Sequence, residues 1–546
     1  MGLFGYLLRT ARGMFALALV VSLASGGTGA AFIVLVNLAL SGGTRAWLVW
    51  SYAALCVATL VTRFVSQHLL FRLSQGVILQ VRRRLIDAVL GAPLRTVERV
   101  GTPRLYSALA DDVVVIADAL PGLPAIASSA AFVLVSLVYL LIVSPPAAAA
   151  AGVATLAGVA LYRLFSVSGL RSLDAARTEQ DVLFEHFRAV TEGVKELKLN
   201  RRRRDALTGT ELTRTALAYR RHSVIGLSVF EAAAGSGQAV FFGLIGALLF
   251  AFPLLFTLPA QELADSVVVV VFAVSSLQGM LTWLPALGRA AVALRTVQER
   301  IAALDSAEPP TSGAPVAAFD GWRTVRLREV VHVYPGPKGE EFVLGPLNFE
   351  FRRGELLFVV GANGSGKTTL AKVLTGLYPP EHGLIEVDGV AVTDANRDAY
   401  RQLFSAVFSD FFLFDSLAGL PGQAVTDRAR HYLERLQLDH KVSIAGDRFS
   451  TTALSQGQRK RLALLSAYLE DRPFYVFDEW AADQDPVFKE FFYSELLAEL
   501  RAQDKAVVVI THDDRWFGAA DRLVRLDFGQ IRAEEVPRGH TVAGGS

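Results

Sequence analysis

Two regimes of hydrophobic patterning divide the chain. From Gly13 to Gly43 no charged residue interrupts an apolar run, which is longer than the ~20 residues needed to span a bilayer core. Five more apolar runs follow, at Ala46 to Leu70 (with Arg63 inside), Ala117 to Val143, Ala147 to Phe165, Ile225 to Phe256 and Ser266 to Leu287. This pattern predicts six membrane helices. Beyond Leu304 the pattern changes: Ser306 to Pro315 is rich in proline, serine and glycine and reads as a linker. After it, short strand-length apolar runs alternate with helical stretches, as in an α/β domain. The expected division is a membrane domain over 1–303, a linker over 304–324, an α/β domain over 325–535 and a polar tail over 536–546.

The start of the chain imitates a secretory signal, with Arg9 and Arg12 ahead of Met14 to Leu23. The apolar run continues through Phe32 to Leu40 instead of stopping at a small-residue cleavage site, so it reads as the first membrane helix. Three connections are short, Gly42 to Arg45, Ser144 to Pro146 and Thr257 to Asp265, and among them they carry one basic residue, Arg45. The other two, Phe71 to Ile116 and Ser166 to Val224, are long and arginine-rich. The arginines near their ends, Arg72, Arg163, Arg220 and Arg221, place both long loops and both termini in the cytoplasm. Helical spacing across Val190 to Tyr219 extends the membrane helices well into the cytoplasm.

Composition agrees with a bilayer-embedded chain: 52% of residues are hydrophobic and 19% charged. The formal net charge of +2 implies no nucleic-acid partner, and Arg201 to Arg204 read as the solvated face of a helix. The single cysteine, Cys56, allows no intrachain disulfide and reads as a small buried hydrophobe. Within the apolar runs, Glu231 and Gln238 lie seven residues apart and so share a helix face about 10 Å long. Glu231 is either a ligand contact or a group at the inner headgroups, whereas Gln238 reads as facing a cavity.

The candidate chemistry lies in the second half. Leu356 to Val360 reads as a strand and leads into Gly361, Ala362, Asn363, Gly364, Ser365, Gly366, Lys367, Thr368 and Thr369, which fit the phosphate-binding pattern G-x-x-x-x-G-K-S/T. The glycines let backbone N–H groups close around phosphates. Lys367 reaches the outer phosphates, Thr368 offers its hydroxyl to Mg²⁺, and a helix follows over Thr369 to Leu377. A second apolar strand, Phe474 to Phe477, ends in Asp478 and Glu479. Asp478 is placed to hold Mg²⁺ through water, and Glu479 to polarise the water that attacks a phosphoryl group. A third strand, Ala506 to Thr511, ends at His512, which is placed to bond the γ-phosphate and orient the nucleophile.

Between the last two strands of this set and the phosphate loop lies Leu454-Ser-Gln-Gly-Gln458, followed by a helical stretch from Arg459 to Glu470. With these motifs in order, the chain resembles an ATP-binding cassette transporter of the exporter type, a half-transporter with one six-helix transmembrane domain fused to one α/β P-loop nucleotide-binding domain. The segment Ser455, Gln456, Gly457 and Gln458 is similar to the family signature, with Gln456 in place of a glycine. The resemblance implies that this segment binds the γ-phosphate held by the opposite subunit of a homodimer. It also implies that Tyr334 stacks on the adenine of ATP and that Asp485 belongs to the segment after the catalytic glutamate. Thr96 to Gly101 and Asn200 to Leu207 fall where the family has coupling helices. One position departs: Ser409 stands where the family has a glutamine contact to Mg²⁺, and Asp410 is either its substitute or a surface residue.

A narrower resemblance rests on Asp478 to Pro486, where Trp480 replaces a small residue, and on Glu192 to Leu199. Both are similar to bacterial half-transporters of the pyoverdine and syringomycin exporter kind, associated with cyclic peptides and peptide siderophores. This implies a multi-pass protein of the inner membrane that hydrolyses ATP to export such a cargo, with a periplasmic partner as an option. Because no domain precedes the first membrane helix, leader-peptide cleavage is not expected. Siderophore uptake by the same fold and a non-transporting membrane ATPase sensor are the competing expectations. Fusion of the two halves argues against an importer fed by an external binding protein, and the six spans exclude a soluble cassette ATPase.

Overall fold

The computed structural model describes residues 12–42, 46–256, 259–305, 319, 321–335, 341–419 and 425–537. The expected linker segment Ser306 to Pro315 and most of the polar tail lie outside the described residues. The chain divides into two units, Met1–Ala92 with Thr96–Ser306, and Ala307–Ser546 with Pro93–Arg95.

The first unit is helical. Among the described residues, six helices are long and apolar enough to cross a membrane. They are α1 (Arg12–Gly42), α2 (Ala46–Gly91), α4 (Thr102–Val143), α5 (Pro145–Glu192), α7 (Arg201–Leu255) and α8 (Ala260–Asp305). Two short helices, α3 (Leu94–Val100) and α6 (Val194–Leu199), lie between them. In hydrocarbon every backbone N–H and C=O must be satisfied within the segment, which is why uninterrupted apolar sequence becomes helix here. All but the first are far longer than the apolar runs: α5, for example, continues from Phe165 through polar sequence to Glu192. Helix α3 covers most of the expected coupling segment Thr96 to Gly101. The second such segment forms the first turn of α7, where Asn200 accepts a hydrogen bond from the Arg203 N–H at 3.0 Å and so caps it.

A buried ion cluster ties three of these helices together. Asp112, on a π-helical turn of α4 and fully buried, pairs with Arg177 of α5 and, at 3.0 Å, with Arg300 of α8. One of the expectations for this unit fails. Cys56 is exposed, because it sits on an outward face of α2 where lipid contact serves an apolar thiol as well as a core does. Glu231 is exposed and Gln238 half-buried on α7, and neither lines any of the three cavities described between these helices.

The second unit is built on a six-stranded sheet. Besides a two-stranded ribbon of Ile444–Ala445 and Arg448–Phe449, the strands of this unit are β1 (Thr324–Pro335), β2 (Glu341–Arg352), β3 (Leu356–Val360), β4 (His382–Val387), β5 (Val390–Ala391), β6 (Phe404–Val407), β7 (Phe474–Asp478), β8 (Ala506–Ile510), β9 (Arg522–Asp527) and β10 (Gln530–Glu535). The main sheet runs β10-β9-β3-β8-β7-β6, and β2-β1-β4-β5 form a second, antiparallel sheet. Strands β9, β3, β8, β7 and β6 are parallel, with Val508 opposite Leu357 and Val476. Every residue of β3, β7 and β8 is buried, which is what near-continuous Val, Ile, Leu and Phe dictate for a parallel sheet covered on both faces. The helices that bear on function are α9 (Lys367–Leu374), α10 (Val425–Arg435), α11 (Gln456–Glu470) and α12 (Pro486–Phe491).

Candidate functional site

The parallel sheet brings three strand ends together. β3 runs into the phosphate loop, β7 delivers Asp478 and Glu479, and β8, paired with both, leads to Thr511 and His512. The loop closes tightly on the sheet: a Cβ on Gly361 would stand 2.1 Å from the Leu526 carbonyl oxygen. Gly366, at φ 99°, turns the chain into α9 in a conformation that favours glycine. Helix α9 starts at Lys367, two residues before the expected Thr369, and ends at Leu374 because the next turn is broken by Gly376 at φ 70°.

Ala362, Asn363 and Gly364 form the exposed crest of the loop, whereas Ser365 is 2% exposed and its hydroxyl has no hydrogen-bond partner among the described residues. Lys367 is buried, and its Nζ donates to the carbonyls of Gly361 and Ala362, each at 3.0 Å. Burial pulls its pKa below the usual lysine value, and the charges of Glu479 and Asp478 oppose that shift. The helix N-terminus, the lysine and the loop together form a preformed anion cradle.

Asp478 is fully buried. Its Oδ2 accepts from the Thr368 hydroxyl at 2.9 Å and from the Ser409 hydroxyl at 3.3 Å, while Oδ1 has no partner among the described residues. Burial raises its pKa; the Thr368 bond lowers it and the neighbouring Glu479 charge adds to the rise. A buried carboxylate with one oxygen on Thr368 and the other unsatisfied is a donor set suited to a hard cation shared with phosphate oxygens. Ser409 therefore reaches the carboxylate that the sequence had assigned to the metal. Asp410 is exposed, and among the described residues it makes no bond to Asp478 or Thr368.

Glu479 sits at φ 50°, an uncommon conformation for a residue other than glycine. Three contacts hold it: its N–H donates to the Ile510 carbonyl at 3.0 Å, its carbonyl accepts from Lys460 Nζ at 2.9 Å, and its Oε1 lies 3.0 Å from His512 Nε2. Lys460 is 3% exposed and also pairs with Asp483 at 2.7 Å. Trp480 fills the core behind, 1% exposed, and its Nε1 donates to the Lys460 carbonyl at 2.8 Å.

The signature segment is organised as a helix start. Ser455 and Gln458 form a capping box at the N-terminus of α11, each side chain bonding the other's backbone N–H, and Gln456 is the first helical residue. Gly457 leaves room for the Asp483 carbonyl, which a Cβ would approach to 2.9 Å, and its own carbonyl accepts from Gln484 Nε2 at 3.0 Å. Asp485 caps α12 by accepting from the Phe488 N–H at 2.9 Å and pairs with Arg461 at 2.5 Å; both contacts lower its pKa, the Phe488 bond most. Its carboxylate is thus engaged within the chain. Tyr334 is 40% exposed at the end of β1, and the Val333 N–H beside it is held by Glu381 at 3.0 Å.

Three groups escaped the sequence reading: Lys460, Gln484 and Glu381. Lys460 and Gln484 are the clasps between α11 and the segment after Glu479; the one available signal was that Lys460 follows the signature segment and Gln484 lies within Asp478 to Pro486.

A chain with six membrane-length helices and a preformed nucleotide-phosphate cradle beside a carboxylate pair defines a membrane-embedded ATPase. Residues 14–256 match the ABC transporter transmembrane region family and residues 344–482 the ABC transporter family. The chain is 38% identical over 526 residues to the ATP-binding protein SyrD of Pseudomonas syringae pv. syringae, covering 94% of this chain and 93% of that protein. It is 27% identical over 244 residues to the subtilin transport ATP-binding protein SpaT of Bacillus subtilis, covering 42% of this chain and 39% of that one. Its fold superposes on a bacterial Atm1-family ABC exporter with ATP bound at a TM-score of 0.77 and 17% identity, over 97% of this chain and 95% of that one. The chain belongs to the ABC transporters, as an exporter-type half-transporter: a multi-pass membrane protein that binds ATP and couples its hydrolysis to transport.

Proposed function

We propose that the protein works as a homodimer in the bacterial inner membrane, with both termini cytoplasmic, and exports a cyclic peptide, peptide siderophore or similar secondary metabolite. The observation that carries the dimer is the separation of roles within one chain: Lys367 and Thr368 sit on the cradle, whereas the contacts of Ser455 are with Gln458 at the start of α11. The signature of one subunit then completes the site of the other. The cargo class is supported by the resemblance carried by Asp478 to Pro486 and Glu192 to Leu199, and by similarity to proteins named for subtilin and nisin transport.

In each composite site the cradle of Gly361 to Thr369 holds the phosphates of ATP, with Lys367 turning from the loop carbonyls to the outer phosphates and Tyr334 against adenine. Thr368, Asp478 and Ser409 are the groups that would hold Mg²⁺, which supplies charge neutralisation on the phosphoryl oxygens. Glu479, fixed by Lys460 and Ile510, orients and polarises the attacking water, and His512 keeps its carboxylate aimed and reaches the γ-phosphate. The test is flux. Proteoliposomes containing the purified protein and, separately, a cyclic lipopeptide or a pyoverdine-type siderophore should show cargo movement that requires ATP. ATPase stimulation by cargo with no flux would replace the exporter by a sensor.

A further inference from the structure

Helices α1, α2, α4 and α8 line a half-open cavity of about 390 Å³ that none of the recognised motifs uses. Its lining is unusual for hydrocarbon depth: hydroxyls come from every one of the four helices, among them Ser22, Thr59, Ser128 and Ser275, and one cation, Arg63, stands in the wall. Ser128 lies fifteen residues from Val143, where α4 ends, and Ser275 fifteen from Ala260, where α8 begins. Both positions are therefore about 22 Å from the short-loop ends of their helices. The cavity falls in the half of a ~30 Å hydrocarbon core away from the short loops.

Small hydroxyl residues are common where membrane helices pack closely, and Ser22 and Ser66 do satisfy each other at 2.7 Å. Packing does not account for the rest. Among the described residues the Thr59 hydroxyl is buried without a partner, and Arg63 makes neither an ion pair nor a hydrogen bond. An intramembrane arginine is costly unless it meets a partner or a polar cavity, and Arg63, although exposed, lines the cavity. A guanidinium set among hydroxyl donors matches a planar anion with further hydrogen-bonding groups around it.

We propose that this cavity is a cargo-recognition site in which Arg63 receives a carboxylate of the transported molecule and the surrounding hydroxyls receive its polar backbone. The proposal rests on the transporter reading and narrows it to acidic cargo. An anionic lipid headgroup offers related chemistry, so the experiment separates the two.

The probes are a dansylated N-dodecanoyl peptide with a free C-terminal carboxylate and the same peptide as its amide. Each is titrated into nucleotide-free protein in phosphatidylcholine nanodiscs and followed by fluorescence. The acid should bind about tenfold more tightly than the amide, as a charge-assisted pair requires. Arg63→Gln should remove that preference and Arg63→Lys should keep most of it. Equal binding of acid and amide to the unaltered protein would overturn the proposal without recourse to any variant, and so would a preference that survives Arg63→Gln. Loss of the preference when phosphatidylglycerol is included would assign the cavity to a lipid headgroup instead. Because binding is read without ATP, an acid preference accompanied by no ATP-driven movement of the probe would sink the transport reading and leave the site standing.

Discussion

Glu479 Oε1 lies 3.0 Å from His512 Nε2, at the ends of two adjacent parallel strands. The register that pairs Asp478 with Ile510 brings them together, and it makes Glu479 the group best placed to act on water. Replacing Glu479 by Gln keeps size and hydrogen bonding but removes the charge. Single-turnover hydrolysis should fall by roughly 10²–10⁴-fold, the range for a lost general base. ATP retention should persist, because Lys367, Thr368 and Asp478 are untouched. His512→Ala leaves the carboxylate in place and should cost less. Near-normal turnover in Glu479→Gln would remove the assignment.

Composite sites make a sharper demand. In a covalently linked dimer with Lys367→Ala in one half and Ser455→Ala in the other, both lesions fall in one site and the second site stays intact. ATP binding at that second site is the expected result in a filter or fluorescence assay. A linked dimer with no intact site would mean that Lys367 and Ser455 serve the same nucleotide within one chain.

Ser409 and Asp410 are separated by geometry. The Ser409 hydroxyl donates to Asp478 Oδ2 at 3.3 Å, so Ser409→Ala should weaken Mg²⁺-dependent ATP binding by about fivefold, equivalent to about 1 kcal/mol for one hydrogen bond. Asp410→Asn, at an exposed position, should leave it unchanged. Titration with ATP in the presence and absence of Mg²⁺ distinguishes the two.

Trp480 is a structural post for the catalytic strand. It is 1% exposed, bonded to the Lys460 carbonyl and packed 4.4 Å ring to ring on Phe492. Trp480→Ala should cost about 3–5 kcal/mol through the cavity it leaves. Trp480→Phe keeps an aromatic ring but loses the bond to the Lys460 carbonyl, which still accepts its own bond within α11, for about 0.5–1.5 kcal/mol. Thermal unfolding of the solubilised full-length protein should rank them in that order.

What could be read from the sequence was what lies contiguous in it. The phosphate loop, the Asp478-Glu479 pair and the signature segment are each short runs whose chemistry is local, and the six spans follow from apolar length alone. The clasps were not readable. Lys460 meets the Glu479 carbonyl, Gln484 meets Gly457, and Asp112 gathers Arg177 and Arg300 through packing between elements. Helix extent was readable where polar sequence keeps helical spacing: the extension expected across Val190 to Tyr219 is present in the end of α5, in α6 and in the start of α7. Periodicity put Glu231 and Gln238 on one face of α7 but reports only which residues share a face, not what that face meets.

Direction of transport is the most direct test of the whole account. Sealed membrane vesicles of both orientations, loaded with the protein and supplied with ATP on the outside, should accumulate the cyclic lipopeptide or siderophore only when inside-out. Glu479→Gln vesicles should accumulate none. Accumulation in right-side-out vesicles carrying internal ATP, with none in inside-out vesicles, would contradict export and make the protein an uptake system.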